Sequence, residues 1–143
     1  MKRWSKLQKE LYLIIDPKIN FQIHCAAYPI GSHNDTIPRY WITLDKEIIF
    51  DYPKQFAEYW ETNWEMVYPL EYVVRNISDL IREYIDTPVS EILTKHFEHD
   101  RWELTDIFRA ADRRIGQRRL RLLQNSSKNL AVQKILAQRI KGD

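Results

Sequence analysis

The sequence predicts an α+β fold: an amino-terminal helix and a three-stranded antiparallel meander, followed by a helical carboxy-terminal half. Three observations lead there. Apolar residues recur at helical spacing near the amino terminus, a period-two pattern takes over between residues 19 and 52, and helical spacing returns from residue 70 to the end.

Trp4, Leu7, Leu11, Ile14 and Ile15 lie at helical offsets with Lys and Gln between them, which predicts an amphipathic helix over 4–15, stopped by Asp16-Pro17. Ile19, Phe21, Ile23, Cys25 and Ala27 then alternate with Asn20, Gln22, His24, Ala26 and Tyr28, so a strand with one apolar face follows and Cys25 points inward. Residues 29–38 read as a solvated loop containing His33.

Residues 39–44 and 48–52 form a hairpin, and two registers compete for it. A two-residue turn at Asp45-Lys46 sets Tyr40, Ile42 and Leu44 against Glu47, Ile49 and Asp51, placing two carboxylates on an apolar face. A three-residue turn, Asp45-Lys46-Glu47, sets them against Ile48, Phe50 and Tyr52 instead and leaves Arg39, Trp41, Thr43, Ile49 and Asp51 on the other face. The second register is expected, although Glu47 is a poor residue for the third turn position.

Phe56, Tyr59, Trp60 and Trp64 suggest a short helix, with Glu58, Glu61 and Glu65 on its solvated flank. Leu70, Val73, Val74, Ile77, Ile81, Tyr84 and Ile85 follow the 3.6-residue period over a longer one. Thr87-Pro88 has the signature of a helix start, and the segment through Val89, Ile92, Leu93 and Phe97 is expected to be helical. Asp100 with Glu103 resembles a capping box before the stripe Leu104, Ile107, Phe108, Ala111 and Ile115. Gly116 interrupts that stripe, the helix restarts before Leu120, Asn125-Ser126-Ser127 forms a turn, and a last helix runs over 130–140. Without repeats or a long linker, residues 1–143 are expected to be one domain, its last helix able to move.

The 143 residues are 44% hydrophobic and 29% charged, an ordinary composition for a soluble domain. The lone Cys25 excludes an intramolecular disulfide, and no paired Cys/His spacing supports a structural zinc site. The amino terminus lacks a secretory apolar region and no run suits a membrane helix, so a cytoplasmic protein without a membrane role is expected. Net charge is segregated: residues 1–44 carry +3, 45–100 carry −8 and 101–143 carry +7. Either these regions neutralise one another in the fold, or the basic one faces an acidic partner.

Catalytic signatures are absent. There is no GxGxxG, P-loop, GxSxG or HExxH, and neither a metal nor a cofactor is expected. His24 and Cys25 are strand neighbours and face opposite ways, so they cannot form a nucleophile pair. His96 and His99 lack a nameable third ligand. Two binding surfaces remain. His24, Arg39 and Trp41 share the less apolar face of the sheet and form a candidate patch for a protein partner. Six arginines fall between 109 and 121, and Arg113, Arg114, Arg118, Arg119 and Arg121 form a candidate nucleic-acid contact. The aromatics concentrate between Tyr40 and Tyr72, and the basic block holds only Trp102 and Phe108, which disfavours single-strand stacking. Internal pairing, for instance of Arg109 or Arg113 with Asp112 or Asp106 locally and of others with carboxylates across the fold, is the structural alternative.

The strings Pro38-Arg39-Tyr40-Trp41-Ile42-Thr43-Leu44, Lys46-Glu47-Ile48-Ile49-Phe50-Asp51-Tyr52-Pro53 and Ala110-Ala111-Asp112-Arg113-Arg114-Ile115-Gly116, followed by Arg118-Arg119-Leu120, resemble a family of small uncharacterised bacterial proteins with no assigned function. The resemblance implies a bacterial origin and carries over no activity, cofactor or catalytic residue. The expected function is therefore a non-enzymatic module, of immunity or regulatory type, that binds a protein partner, with nucleic-acid binding as the alternative.

Overall fold

The computed structural model describes residues 4–29, 36–52, 73–100 and 102–140. The helix expected around 56–64, its glutamates and His33 lie outside these residues. Within them the order is α1 (Trp4–Tyr12), β1 (Phe21–Pro29), β2 (Thr36–Leu44), β3 (Glu47–Tyr52), α2 (Val73–Asp86), α3 (Leu104–Ala111), α4 (Gln117–Ser126) and α5 (Leu130–Arg139). The fold is α+β, with one antiparallel sheet ordered β1-β2-β3.

The apolar periodicities become one buried cluster. Phe21, Ile23, Tyr40, Ile42 and Leu44 face inward from the sheet, meeting Leu7 and Leu11 of α1, Ile77, Ile81 and Tyr84 of α2, and Phe108 of α3. Trp4 meets Tyr40 edge-on at 5.3 Å, and the Tyr40 hydroxyl lies 2.7 Å from Ser78 Oγ. α5 completes the body by burying Val132, Ile135 and Leu136 against α3 and α4. The last helix is thus integral to the core.

The hairpin combines parts of both expected registers. Tyr40 pairs with Tyr52 and Ile42 with Phe50, as in the expected register, but Thr43 pairs with Ile48 and Leu44 with Glu47. The turn has two residues, Asp45 and Lys46, at φ 52° and 70°, which suits the twist of a hairpin. Ile49 is the extra residue in a β-bulge, restoring apolar pairing one step beyond the turn. Glu47 is exposed, outside the core, and its Oε1 accepts from Lys134 Nζ at 2.7 Å. The strands also run further than expected, with Pro29 paired to Thr36, so the loop is shorter.

The edge of β1 is covered by side chains. Gln8 Nε2 donates to the Ile23 carbonyl at 2.6 Å, and the Ile23 N–H donates to the Tyr12 hydroxyl at 3.0 Å. These bonds stand in for a fourth strand at that point of an edge that has no strand partner among the described residues.

Three helix expectations need correction. α1 stops at Tyr12, because Ile15 forms a β-bridge with Asp112 and the Ile14 carbonyl accepts from the Arg113 N–H at 2.8 Å. Residues 88–95 form successive turns, not a helix; Thr87 Oγ1 donates to the Glu83 carbonyl and so closes α2. The Ile92 and Lys95 carbonyls accept from Arg109 Nε and Nη2 at 2.8 and 2.7 Å, a use that draws them out of a helical ladder. α3 ends at Ala111, before Gly116, because Asp112 is extended at φ −71°, ψ 118°.

Capping follows the chemistry but not the expected pairs. Asp100 accepts from the Leu104 and Thr105 N–H groups and from Thr105 Oγ1, whereas Glu103 takes a left-handed conformation. Asn129 caps α5 by accepting from the Ala131 and Val132 N–H groups, so α4 extends through Ser126.

Candidate functional site

On the sheet face turned away from the core, β-pairing fixes the patch. His24 and Trp41 are direct cross-strand partners, as are Trp41 and Asp51, while Arg39 precedes Trp41 by two residues and shares its face. The imidazole of His24 stacks on the Trp41 ring at 5.0 Å and 26°. The Arg39 guanidinium lies over the same ring at 4.5 Å, and its Nε and Nη2 donate to Asp51 Oδ1 and Oδ2, both at 2.9 Å. The two side chains of this fork are 17% and 19% exposed, so it is shielded from solvent more than a surface pair is. Burial pushes the His24 pKa below its ordinary value, keeping the ring neutral beside Arg39.

Cys25 is on the opposite face, paired with Tyr40. Burial raises its pKa and the hydrogen bond from Tyr40 offsets this only in part, so the sulfur remains a thiol. His24 and Cys25 are therefore not joined, as strand geometry requires. His96 and His99 are exposed, and no group of three metal-ligating side chains occurs among the described residues.

The arginines expected on one basic surface divide into two kinds. Arg109 donates to Asp106 and to two carbonyls and lies against Phe97. Arg114 forks onto Asp112 with Nε and Nη2 at 3.0 and 2.7 Å. Arg113, Arg118, Arg119 and Arg121 are exposed, and Arg121 has a further interaction of its own. The local pairing with Asp112 thus involves Arg114, not Arg113.

Asp112 anchors a buried polar hub. Its carboxylate is fully buried, yet accepts from Arg114 and from the Tyr84 hydroxyl at 2.8 Å. Burial first, and then the adjacent Asp112 charge, push the Tyr84 pKa well above its ordinary value, so the phenol stays protonated and donates. Arg139 Nη1 donates to the Ala110 and Asp112 carbonyls at 2.9 and 2.8 Å, while its Nε donates to Asp16 Oδ2. This hub ties α2, α5, the α1–β1 link and the α3–α4 link together. No spacing in the sequence groups Tyr84, Arg139 and Asp16. The one signal in the sequence is Asp112, a carboxylate set beside the apolar stripe at i+4 from Phe108.

Arg82 forms a second tie, donating to Glu10 Oε2 at 2.6 Å and to Asp86. Among the described ion pairs, only Lys134–Glu47 joins the acidic stretch 45–100 to the basic stretch 101–143. No described helix is long and apolar enough to cross a membrane.

The model of the SF0329 protein family, to which no function is assigned, matches residues 3–76 and 68–140. That match spans most of the chain, which belongs to this family. No curated protein and no solved structure matches the chain.

Proposed function

We propose that this member of the SF0329 protein family is a non-enzymatic module of immunity or regulatory type that docks a protein partner through His24, Arg39 and Trp41. The observation carrying this reading is the position of Trp41, fixed by a stacked His24 and by an Arg39 that is itself forked onto Asp51. Tryptophan and arginine dominate binding energy at protein interfaces, and a side chain already held in one rotamer loses less entropy on docking. A reducing, cytoplasmic setting accords with the single cysteine and its protonated thiol.

Affinity capture from the source cells, with the protein as bait at physiological salt, tests this reading. A stoichiometric partner retained by wild type and lost by Trp41→Ala, with the variant's denaturation midpoint unchanged, supports it. Capture that Trp41→Ala and Arg39→Ala leave intact overturns it.

The second reading is nucleic-acid binding by the arginines around α4. It is favoured by the exposure of Arg113, Arg118 and Arg119, whose side chains have no partner among the described residues. A salt titration with duplex DNA separates it from the first, since phosphate contacts weaken steeply with ionic strength.

A further inference from the structure

The α3–α4 corner sorts neighbouring arginines by use. Asp112 and Arg114 lock onto each other, with the carboxylate fully buried. Between them, the Arg113 N–H donates to the Ile14 carbonyl at 2.8 Å, and Asp16 N–H donates to the Ala111 carbonyl at 2.8 Å. This short bridge fixes the backbone at Arg113, whose side chain is exposed.

Just beyond stands Gly116, where an added Cβ would meet nothing within 4 Å, so the turn itself faces open space. Arg118 and Arg119 follow in the first turn of α4, both exposed. All three arginines lie within three residues of Gly116, which places their Cα atoms within about 11 Å of it. The first turn of α4 has no acidic residue, and Gly116 contributes no capping side chain. Two cations thus sit at the positive end of a helix, an arrangement that intramolecular stability does not favour.

We infer that Arg113, Arg118 and Arg119 contact the phosphate backbone of double-stranded nucleic acid, while Arg114, locked onto Asp112, takes no part in the contact. This rests on the second reading above and narrows it. Arg113, Arg118 and Arg119 are exposed and have no ion-pair partner among the described residues, and this local positive charge is complementary to phosphate. A single strand fits less well, because Phe108 is buried and Trp102 packs edge-on against Tyr52 at 5.7 Å, leaving neither as a stacking platform. Phosphate contacts carry no sequence information, so duplexes of unrelated sequence bind alike.

Fluorescence anisotropy with a labelled DNA duplex between about 50 and 200 mM salt tests the inference. Three phosphate contacts predict a slope of log K against log salt of about −2.7. Arg113→Ala, Arg118→Ala and Arg119→Ala each make the slope shallower by about 0.9, whereas Arg121→Ala leaves it unchanged. Denaturation midpoints of all variants are measured in parallel, and substitution by Lys at 113, 118 or 119 restores the slope. Absence of binding by wild type at about 50 mM salt overturns the nucleic-acid reading as a whole. Duplex binding whose slope is insensitive to the three substitutions overturns this assignment alone. Tighter binding to a single strand, or to anionic lipid vesicles, overturns the duplex as the ligand.

Discussion

Arg139 Nε donates to Asp16 Oδ2 at 2.8 Å, joining residues 123 positions apart in the chain. The two side chains are only 6% and 16% exposed, and the same guanidinium also reaches the carbonyls of Ala110, Asp112 and Ile115. The end of α5 is thereby fixed to the α1–β1 link and to the α3–α4 corner.

Removing one side of this contact leaves buried carbonyls and a shielded carboxylate without their donor. Arg139→Ala is expected to cost about 3–5 kcal/mol, read as a lower urea midpoint with little change in slope. A loss below about 1 kcal/mol shows that solvent reaches the cluster.

Asp16 also sets a pH dependence. Burial by itself raises its pKa, but the Lys18 N–H and the Arg139 guanidinium outweigh that and hold it below the ordinary carboxylate value. Its stabilisation is present above the unfolded pKa of about 3.9 and lost as pH falls through the folded value. Urea titrations at several pH values are expected to show the gap between wild type and Asp16→Asn closing under acid.

His24 gives a dependence in a different window. Burial lowers its folded pKa beneath the unfolded value of about 6.5, so the unfolded chain takes up a proton first as pH falls. Stability is highest above that value and declines below it. NMR titration is expected to place His24 below 6.5, and His24→Gln to flatten the stability profile between pH 5 and 7.

Tyr84 donates to a fully buried carboxylate. Tyr84→Phe is expected to cost about 1.5–3 kcal/mol, and distinctly less in an Asp112→Asn background. Equal costs in both backgrounds show that the hydroxyl and the carboxylate are not coupled.

Lys46 stands at φ 70° in the hairpin turn. Lys46→Gly relieves a left-handed side chain at the cost of a looser unfolded chain, for a net gain of about 0.5–1 kcal/mol. A higher urea midpoint checks it; a lower one shows that the lysine stem contributes packing.

The order of elements was legible in the sequence wherever one face is apolar throughout. The alternation around His24 and Cys25 placed them on opposite sheet faces, and the 3.6-residue spacing through Ile77, Ile81 and Tyr84 placed α2. The patch was legible for the same reason, because a strand's period of two puts His24, Arg39 and Trp41 on one face once the pairing is set. Where polar residues decide the outcome, the pattern failed. Residues 88–95 have helical spacing but turn, because Arg109, distant in sequence, takes two of their carbonyls.

By itself, the sequence determined the fold class, the inward and outward sides of β1 and β2, and the order of acidic and basic stretches along the chain, since apolar periodicity and charge order are local properties; on β3, Ile48, expected inward, is exposed and Ile49, expected outward, packs against the core. Only the tertiary structure decided which arginines are engaged and which are exposed, and how the hairpin reconciles its turn with its core through a bulge at Ile49. A guanidinium takes whichever carboxylate or carbonyl the fold brings within about 3 Å, and no spacing along the chain encodes that meeting.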